Sequence, residues 1–364
     1  MRIDELIGIL NRAAPFSLQE DYDNSGLQIG DPGREIKRAL VCLDVTREVI
    51  REAIDKQCDL IISHHPLIFK GIKQISGNHP TGKIIIDAVK NDIGIVAVHT
   101  NLDNASRGVN HILAEKLGLS EVQVLQASAG LLKKLVTFCP DNHAAAVRDA
   151  LFEAGAGKIG NYDCCSYNLE GKGTFRAGET TRPFVGEKGV VHSEPETRIE
   201  TVFPAYLQNE VVAALQGSHP YEEVAYDIYS LDNSFDQAGS GVYGYLGEAL
   251  PEEAFLAMVK TSLGIPVVRH SGFLGRPVRK VALCGGSGSF LLERARSVEA
   301  DAFVTADVKY HQFFDACGRI LMVDAGHYET EQFSKELLLE IINKKMIKFA
   351  LLISEVNTNP IHYY

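Results

Sequence analysis

Three features of the chain predict an α/β protein made of two α/β halves with a second domain inserted between them. Short apolar runs alternate with helical periodicity over residues 1–126. A Gly-rich β-α-β-β-α-β order then takes over at 127–239, and the α/β alternation resumes over 240–364. The length of 364 residues accommodates two or three domains at a usual size of roughly 100 to 150 residues each.

In the first half, Ile3–Ala14 reads as a helix, Ala39–Leu43 as a buried strand and Thr46–Lys56 as a helix. Leu60–Ser63 and Ile93–Val98 read as strands, with a helix over Gly82–Lys90 between them. Strands this short and apolar belong to a mostly parallel sheet with helices on both faces. In the middle segment, Lys134–Phe138 reads as a strand and His143–Ala154 as a helix that Asp141 or Asn142 can cap. Two strands are expected near Tyr162–Asn168 and Gly173–Ala177, followed by an extended run Thr197–Phe203, a helix Ala205–Gln216 and a strand Val224–Leu231. Their overall order is that of a ferredoxin-like split unit. A linker-like stretch at 230–241 leads back to the second half. There Pro251 is expected at the first position of a helix, with strands at Val278–Cys284, Ala302–Thr305 and Ile320–Val323. A long helix from His327 towards Lys345 and a strand Phe349–Ser354 finish the chain.

Composition narrows the function. Hydrophobic residues make up 45% and charged residues 23%, which excludes a disordered or membrane-spanning chain. Lys plus Arg is 36 against 47 Asp plus Glu, for a net charge of −11. No basic run carries interleaved aromatics, so nucleic acid is not an expected partner. The seven cysteines are odd in number and include no C-x-x-C, arguing against both a disulfide framework and a Cys-rich zinc site. The first residues, MRIDELIGIL, read as an amphipathic helix and not a signal peptide, so the expected location is cytoplasmic.

Three clusters could carry chemistry. His64-His65-Pro66 directly follows the run Leu60–Ser63, and the carboxyl ends of parallel strands are where α/β folds open into a crevice. His99-Thr-Asn-Leu-Asp103 follows the next strand, with Asp103 a candidate ligand and His99 a ligand or a group that orients one. His327-Tyr-Glu-Thr-Glu331 opens a helix after a strand, and its i, i+4 spacing puts His327 and Glu331 on one face. Each cluster alone has an ordinary alternative as a capped turn or a polar loop. Together they offer imidazole and carboxylate without thiolate, a set that suits Zn, Mn, Fe or Co. Five ligands are too many for one catalytic ion with open positions and about right for two ions roughly 3.5 to 4 Å apart. Asp307 and His311, also i, i+4, are candidate acid/base groups. Cys284-Gly-Gly-Ser-Gly-Ser289 is a candidate anion cradle.

As a set, DYDNSGLQIGD (21–31), SHHPLIF (63–69), HTNLD, CGGSGS, TADVKYH (305–311), GHYETE (326–331) and the tail NTNPIHYY resemble the Nif-three-like family, also called the GTP cyclohydrolase I type 2 homologue family. The middle segment, with KIGNYDCCSYNLEGKGTFRAG and HPYEEVAYDIYSL, resembles the PII-like or CutA-like insert of the longer bacterial members. The resemblance implies two divalent metal ions per chain, zinc foremost, with His65 and Asp103 on one, His64 and His327 on the other and Glu331 bridging. It also implies a toroidal homohexamer built from trimers. Two departures are Tyr22, where the family often has Trp, and Ala306, where it often has Gly. The functional expectation is a metal-dependent hydrolase on a nucleotide or related small anionic substrate, with GTP ring opening suggested by the family name. The alternative is a non-catalytic metal-binding or regulatory assembly in which the insert senses a ligand or gates the cavity.

Overall fold

The computed structural model describes residues 1–346 and 349–364. The described residues are mixed α/β with three sheets, and the chain divides into two compact units, residues 1–127 with 236–364 and residues 128–235.

The first unit holds two of the sheets. One has the strand order Gly26–Ile29, Gly94–Ala97, Leu60–Ser63, Arg38–Cys42, Ala350–Ile353. All neighbours are parallel except Gly26–Ile29, which runs antiparallel along one edge. Leu60–Ser63 and Gly94–Ala97 are buried at every residue, as expected of strands covered on both faces. The helices Arg47–Asp55 and Pro80–Lys90 pack on them through Val49, Ile50, Ala53, Ile84 and Ala88. Thr46 caps the first of these helices by accepting from the Val49 N–H at 3.3 Å. The strand Ala350–Ile353 comes from the far end of the chain, so the first sheet is completed by the second half of the sequence.

The other sheet has the order Arg269–His270, Leu321–Asp324, Ala302–Thr305, Val278–Leu283, Phe235–Leu250, Ser120–Ser128. Its three central strands, 278–283, 302–305 and 321–324, are parallel. Pro251 is the N-cap of the helix Glu252–Leu263, one position earlier than its ring would suggest. The long helix expected from His327 is two helices, His327–Glu331 and Ser334–Asn343. Side chains bond back to backbone carbonyls in the first of these. The Thr330 hydroxyl bonds back to the Gly326 and His327 carbonyls at 2.9 and 3.0 Å, and the Gln332 amide bonds to the Glu329 carbonyl at 3.2 Å. Back-bonding of this kind bends or ends helices.

The second unit is an antiparallel sheet ordered Ser166–Arg176, Val191–Pro204, Leu132–Pro140, Tyr226–Leu231. Helices Ala144–Glu153 and Gln208–Ser218 cover one face, burying Val147, Leu151, Val211 and Leu215 against Leu135, Cys139, Ile199 and Phe203. The two strands expected near 162–168 and 173–177 are a single strand, Ser166–Arg176. Its ladder with 191–204 runs without a break through Gly171 and Gly173. Among the described residues, no helix is long and apolar enough to cross a membrane.

Candidate metal centre

The site lies where parallel strands end. After Ser63 the strand ends and the backbone bends, while the His64 and His65 N–H groups still donate to the Cys42 and Leu43 carbonyls at 3.2 and 2.9 Å. Both rings nevertheless reach one site, with centroids 5.0 Å apart. His99 is the N-cap of the one-turn helix Thr100–Asp103, which follows the strand Gly94–Ala97 and carries Asp103 at its end. His327 and Glu331 open and close the helix that follows Leu321–Asp324. The turn between them and the strand requires Gly326: its φ is 89°, and a Cβ there would lie 2.2 Å from Glu329 Oε2.

Glu331 is the centre of the cluster. It is 3% exposed, and its Oε2 lies 2.8 Å from His65 Nε2, 3.0 Å from His327 Nε2 and 3.7 Å from His64 Nε2. Asp103 Oδ1 lies 3.6 Å from the same His64 nitrogen. Ligand atoms within 4.8 Å of one another form three overlapping groups: His64, Asp103 and Glu331; His65, His327 and Glu331; and His64, His65 and His99. By proximity His64 sits with Asp103 and Glu331, and His65 with His327 and Glu331. His99 also has a ring nitrogen within this distance of His64 and His65.

A partner fixes the far side of each ring. His65 Nδ1 meets Asp44 Oδ1 at 2.7 Å, His327 Nδ1 meets Asp307 Oδ2 at 2.7 Å, and His99 Nδ1 meets Asp23 Oδ1 at 2.7 Å. His64 Nδ1 meets the Val98 carbonyl at 2.9 Å. A carbonyl only accepts, so His64 Nδ1 carries the proton and Nε2 keeps a lone pair. That Nε2 is buried with no hydrogen-bond partner among the described residues. It faces two carboxylate oxygens at distances too long for hydrogen bonds. His64 Nε2 and the Asp103 and Glu331 oxygens thus converge with no hydrogen bond between ring and carboxylate, which fits a cation placed between them.

The electrostatics follow from this packing. Burial drives the His64 pKa down to about 3, leaving the ring neutral. Burial opposes a charge on His65 too, but the hydrogen bonds to Asp44 and Glu331 prevail and raise its pKa to about 10. At His327 burial is likewise outweighed by Glu331 and Asp307, raising it to about 9. Burial also works against the Glu331 carboxylate, yet His327 and His65 hold its pKa well below the usual range. Asp103 goes the other way, raised by burial and then by the Glu331 charge.

Asp307 is not on a helix with His311. It sits at φ 54°, and the next helix begins only at Gln312. The Ser287 hydroxyl donates to the same Asp307 oxygen that holds His327. His311 is exposed, its ring edge-on to Tyr310 at 5.1 Å, with no polar contact to the cluster among the described residues. The 284–289 turn is not a free anion cradle. Its Gly285, Gly286 and Gly288 N–H groups donate to Asn110, Thr330 and Thr305 side chains at 2.9, 3.0 and 2.9 Å. Its role is close approach, since a Cβ on Gly286 would lie 2.1 Å from Glu331 Oε1. Asp44 and Asp23 were not singled out as site residues. Asp44 follows the strand Arg38–Cys42 closely, so strand-end position was its signal, and Asp23 lies within the motif DYDNSGLQIGD.

An α/β scaffold presenting a buried imidazole–carboxylate cluster at its strand ends defines a candidate metalloprotein. The family model described as Duf34/NIF3 (NGG1p interacting factor 3) matches residues 1–360, and the chain belongs to that family. Proteins named GTP cyclohydrolase 1 type 2 homolog from Halalkalibacterium halodurans and Bacillus subtilis are each 41% identical to it, over 360 and 362 residues, covering 98% of this chain and 97% of each relative. A Bacillus cereus crystal structure described as a protein related to NIF3 superposes with a TM-score of 0.88 at 41% identity, covering 100% of this chain and 99% of that one.

Proposed function

We propose that the centre holds two divalent cations, zinc foremost with iron, manganese or cobalt as alternatives, and that the protein hydrolyses a nucleotide or a related small anionic molecule. The observation that carries this reading is the partnerless, buried His64 Nε2 facing Asp103 and Glu331. His64, Asp103 and His99 would hold one ion and His65 and His327 the other, with Glu331 common to both. Two such ions, when bound, supply Lewis acidity and lower the pKa of a water towards neutrality. The chain's own groups do the rest. Asp44, Asp307 and Asp23 fix the Nδ1 side of three rings and turn Nε2 into the site. Asp103 and Glu331 balance positive charge in a buried setting. Asp307, with its side chain 48% exposed, is the acid/base candidate that substrate can reach. His311 would act only on a substrate extending to its exposed turn.

The reading covers the rest of the chain. Residues 1–126 and 240–364 form a discontinuous metal-binding domain, and 127–239 an inserted ferredoxin-like domain of the PII or CutA kind. The antiparallel sheet with both helices on one face supports this assignment. A trimer-based homohexamer is part of the proposal, supported by exposed Tyr162, Tyr167 and Val191 on the second unit.

The name carried by the relatives makes GTP the first substrate to assay. Protein purified without chelator or tag should contain two metals per chain by elemental analysis. It should turn over GTP or a phosphoester, and Glu331→Gln should abolish turnover while the oligomer persists. Full metal occupancy with no turnover on any nucleotide would instead favour the regulatory assembly.

A further inference from the structure

The tail NTNPIHYY supplies no ligand to the metal centre, yet it reaches what stands behind the ligands. Ala350–Ile353 runs parallel to Arg38–Cys42, and Arg38–Cys42 to Leu60–Ser63. The chain therefore leaves the sheet at the edge where the other two strands give way to Asp44, His64 and His65. Its exit is fixed. The Ser354 N–H donates to the Val41 carbonyl at 2.8 Å. The Ser354 hydroxyl and the Glu355 N–H both donate to the Glu52 carboxylate, the latter at 2.9 Å. Further on, Asn357 and Asn359 each accept from the N–H two residues ahead, at 2.9 and 3.0 Å, turns that asparagine builds with its own side chain. Pro360 keeps Asn359 out of helical backbone.

Two hydrogen bonds carry the tail to the cluster. The Thr358 hydroxyl donates to Asp44 Oδ2 at 2.6 Å, and the other oxygen of that carboxylate meets His65 Nδ1 at 2.7 Å. The Asn359 amide donates to Glu329 Oε1 at 2.9 Å. Glu329 lies between His327 and Glu331 on their five-residue helix and is 6% exposed. Among the described residues the Asn359 amide makes its one side-chain hydrogen bond, and Oε2 is buried without a partner. A buried carboxylate with a single donor loses much when that donor goes, so Asn359 has leverage on the helix. Consecutive tail residues thus join His65, from the first half of the sequence, to the second-half helix that carries two more ligands. Apolar burial does not explain the placement. Val356 packs on the core, but Asn357 and Pro360 on either side of Thr358 and Asn359 are exposed.

On the reading that this centre holds divalent cations, we propose that Thr358 and Asn359 are positioning residues and that the tail is a strap whose docking and ion binding favour each other. Neither residue touches the ion. Thr358 holds one oxygen of Asp44 so that the other stays on His65 Nδ1, which turns Nε2 of that ring inward. Asn359 ties down the helix that presents His327 and Glu331. With the strap released, the ligands keep their identities and lose their fixed angles. Coupling between two binding events is reciprocal, so an ion that needs the strap also holds it in place.

Competition for zinc between the full chain and a chromophoric chelator tests the proposal. Thr358→Val removes the donor at nearly constant size and should weaken zinc about tenfold, the lower end of what losing a partner behind a ligand costs. Thr358→Ser keeps the hydroxyl and should restore most of the affinity. Asn359→Asp sets a carboxylate against Glu329 in place of the donor and should also weaken zinc. Added to Asp44→Asn, Thr358→Val should cost little more, because the two act along one line. Cobalt-loaded Thr358→Val should show shifted ligand-field bands, a change in coordination that lost stability alone does not produce. Thermal unfolding of the metal-free variants confirms a folded chain. In the wild type, zinc should slow amide exchange across residues 355–361. A wild-type chain that binds no zinc would overturn the metal reading, and the strap with it. Where the wild type binds zinc, three results would overturn the strap alone: equal affinity in Thr358→Val, a loss that Thr358→Ser fails to restore, or exchange across 355–361 that zinc leaves unchanged.

Discussion

The metal-centre cluster and the sheet of the 128–235 unit both hold buried charge, but they satisfy it in opposite ways. At the strand ends of the first unit, three imidazoles share one carboxylate oxygen or approach it, and each ring is held from behind by a carboxylate or a carbonyl. Charge there is dense, mutually oriented and short of a cation. On the sheet of the second unit, Glu196 accepts from the Tyr221 hydroxyl and the Arg198 guanidinium pairs with Glu200 at 2.8 Å, both beside aromatic rings. The first arrangement gathers groups that could hold a metal ion, and the second pairs its charges one by one. Damage to one region should therefore leave the other intact.

The strongest separation is expected from Leu151→Ala. Leu151 is fully buried between the second unit's helix layer and its sheet, and truncating it should cost about 2–5 kcal/mol of that unit's stability. Chemical denaturation should resolve the loss while metal content stays unchanged. A smaller effect, in the other direction, is expected from Asp44→Asn, which keeps the shape but weakens the hold on His65. Metal affinity should fall roughly 10–100-fold in competition with a chromophoric chelator, without any change in the stability of the second unit.

The subtlest prediction concerns protons. Without metal, His65 and His327 stay protonated at neutral pH, with pKa values of about 10 and about 9 against 6.5 for an unperturbed imidazole. Metal ligation needs the neutral rings, so binding at pH 7.5 should release close to two protons per chain. Calorimetry in buffers of different ionisation enthalpy measures this, and release near zero would contradict the ion-paired description. Because both pKa values are raised on folding, the metal-free protein is stabilised by these charges below about pH 6.5. That contribution should fade as pH rises from there through about 9 to 10, whereas the metal-loaded form should lack the dependence.

Much of this was legible in the chain. The strands Leu60–Ser63 and Ala302–Thr305 stand at their expected positions because short apolar runs between turns leave few other options. His64, His65, Asp103, His327 and Glu331 were recognisable because each follows a strand. Three things were hidden. The edge strand Gly26–Ile29 is only half-buried and has no apolar run. Gly171 and Gly173 looked like a break because glycine is a poor strand former, but here it makes room for Glu196. The carboxylates behind the rings, Asp23 and Asp44, lie 76 and 21 residues from their histidines, a distance no local pattern encodes.

The placement of Ala350–Ile353 beside Arg38–Cys42 has a temporal consequence. The last strand of the chain completes the sheet that begins near its start, and just beyond it Thr358 donates to Asp44 Oδ2 at 2.6 Å. A nascent chain still on the ribosome has neither that strand nor that brace, and pairing across such sequence separation is slow. The histidines made early in synthesis must wait for the final residues before they are fully positioned, so incomplete chains would leave an ion only a partial seat.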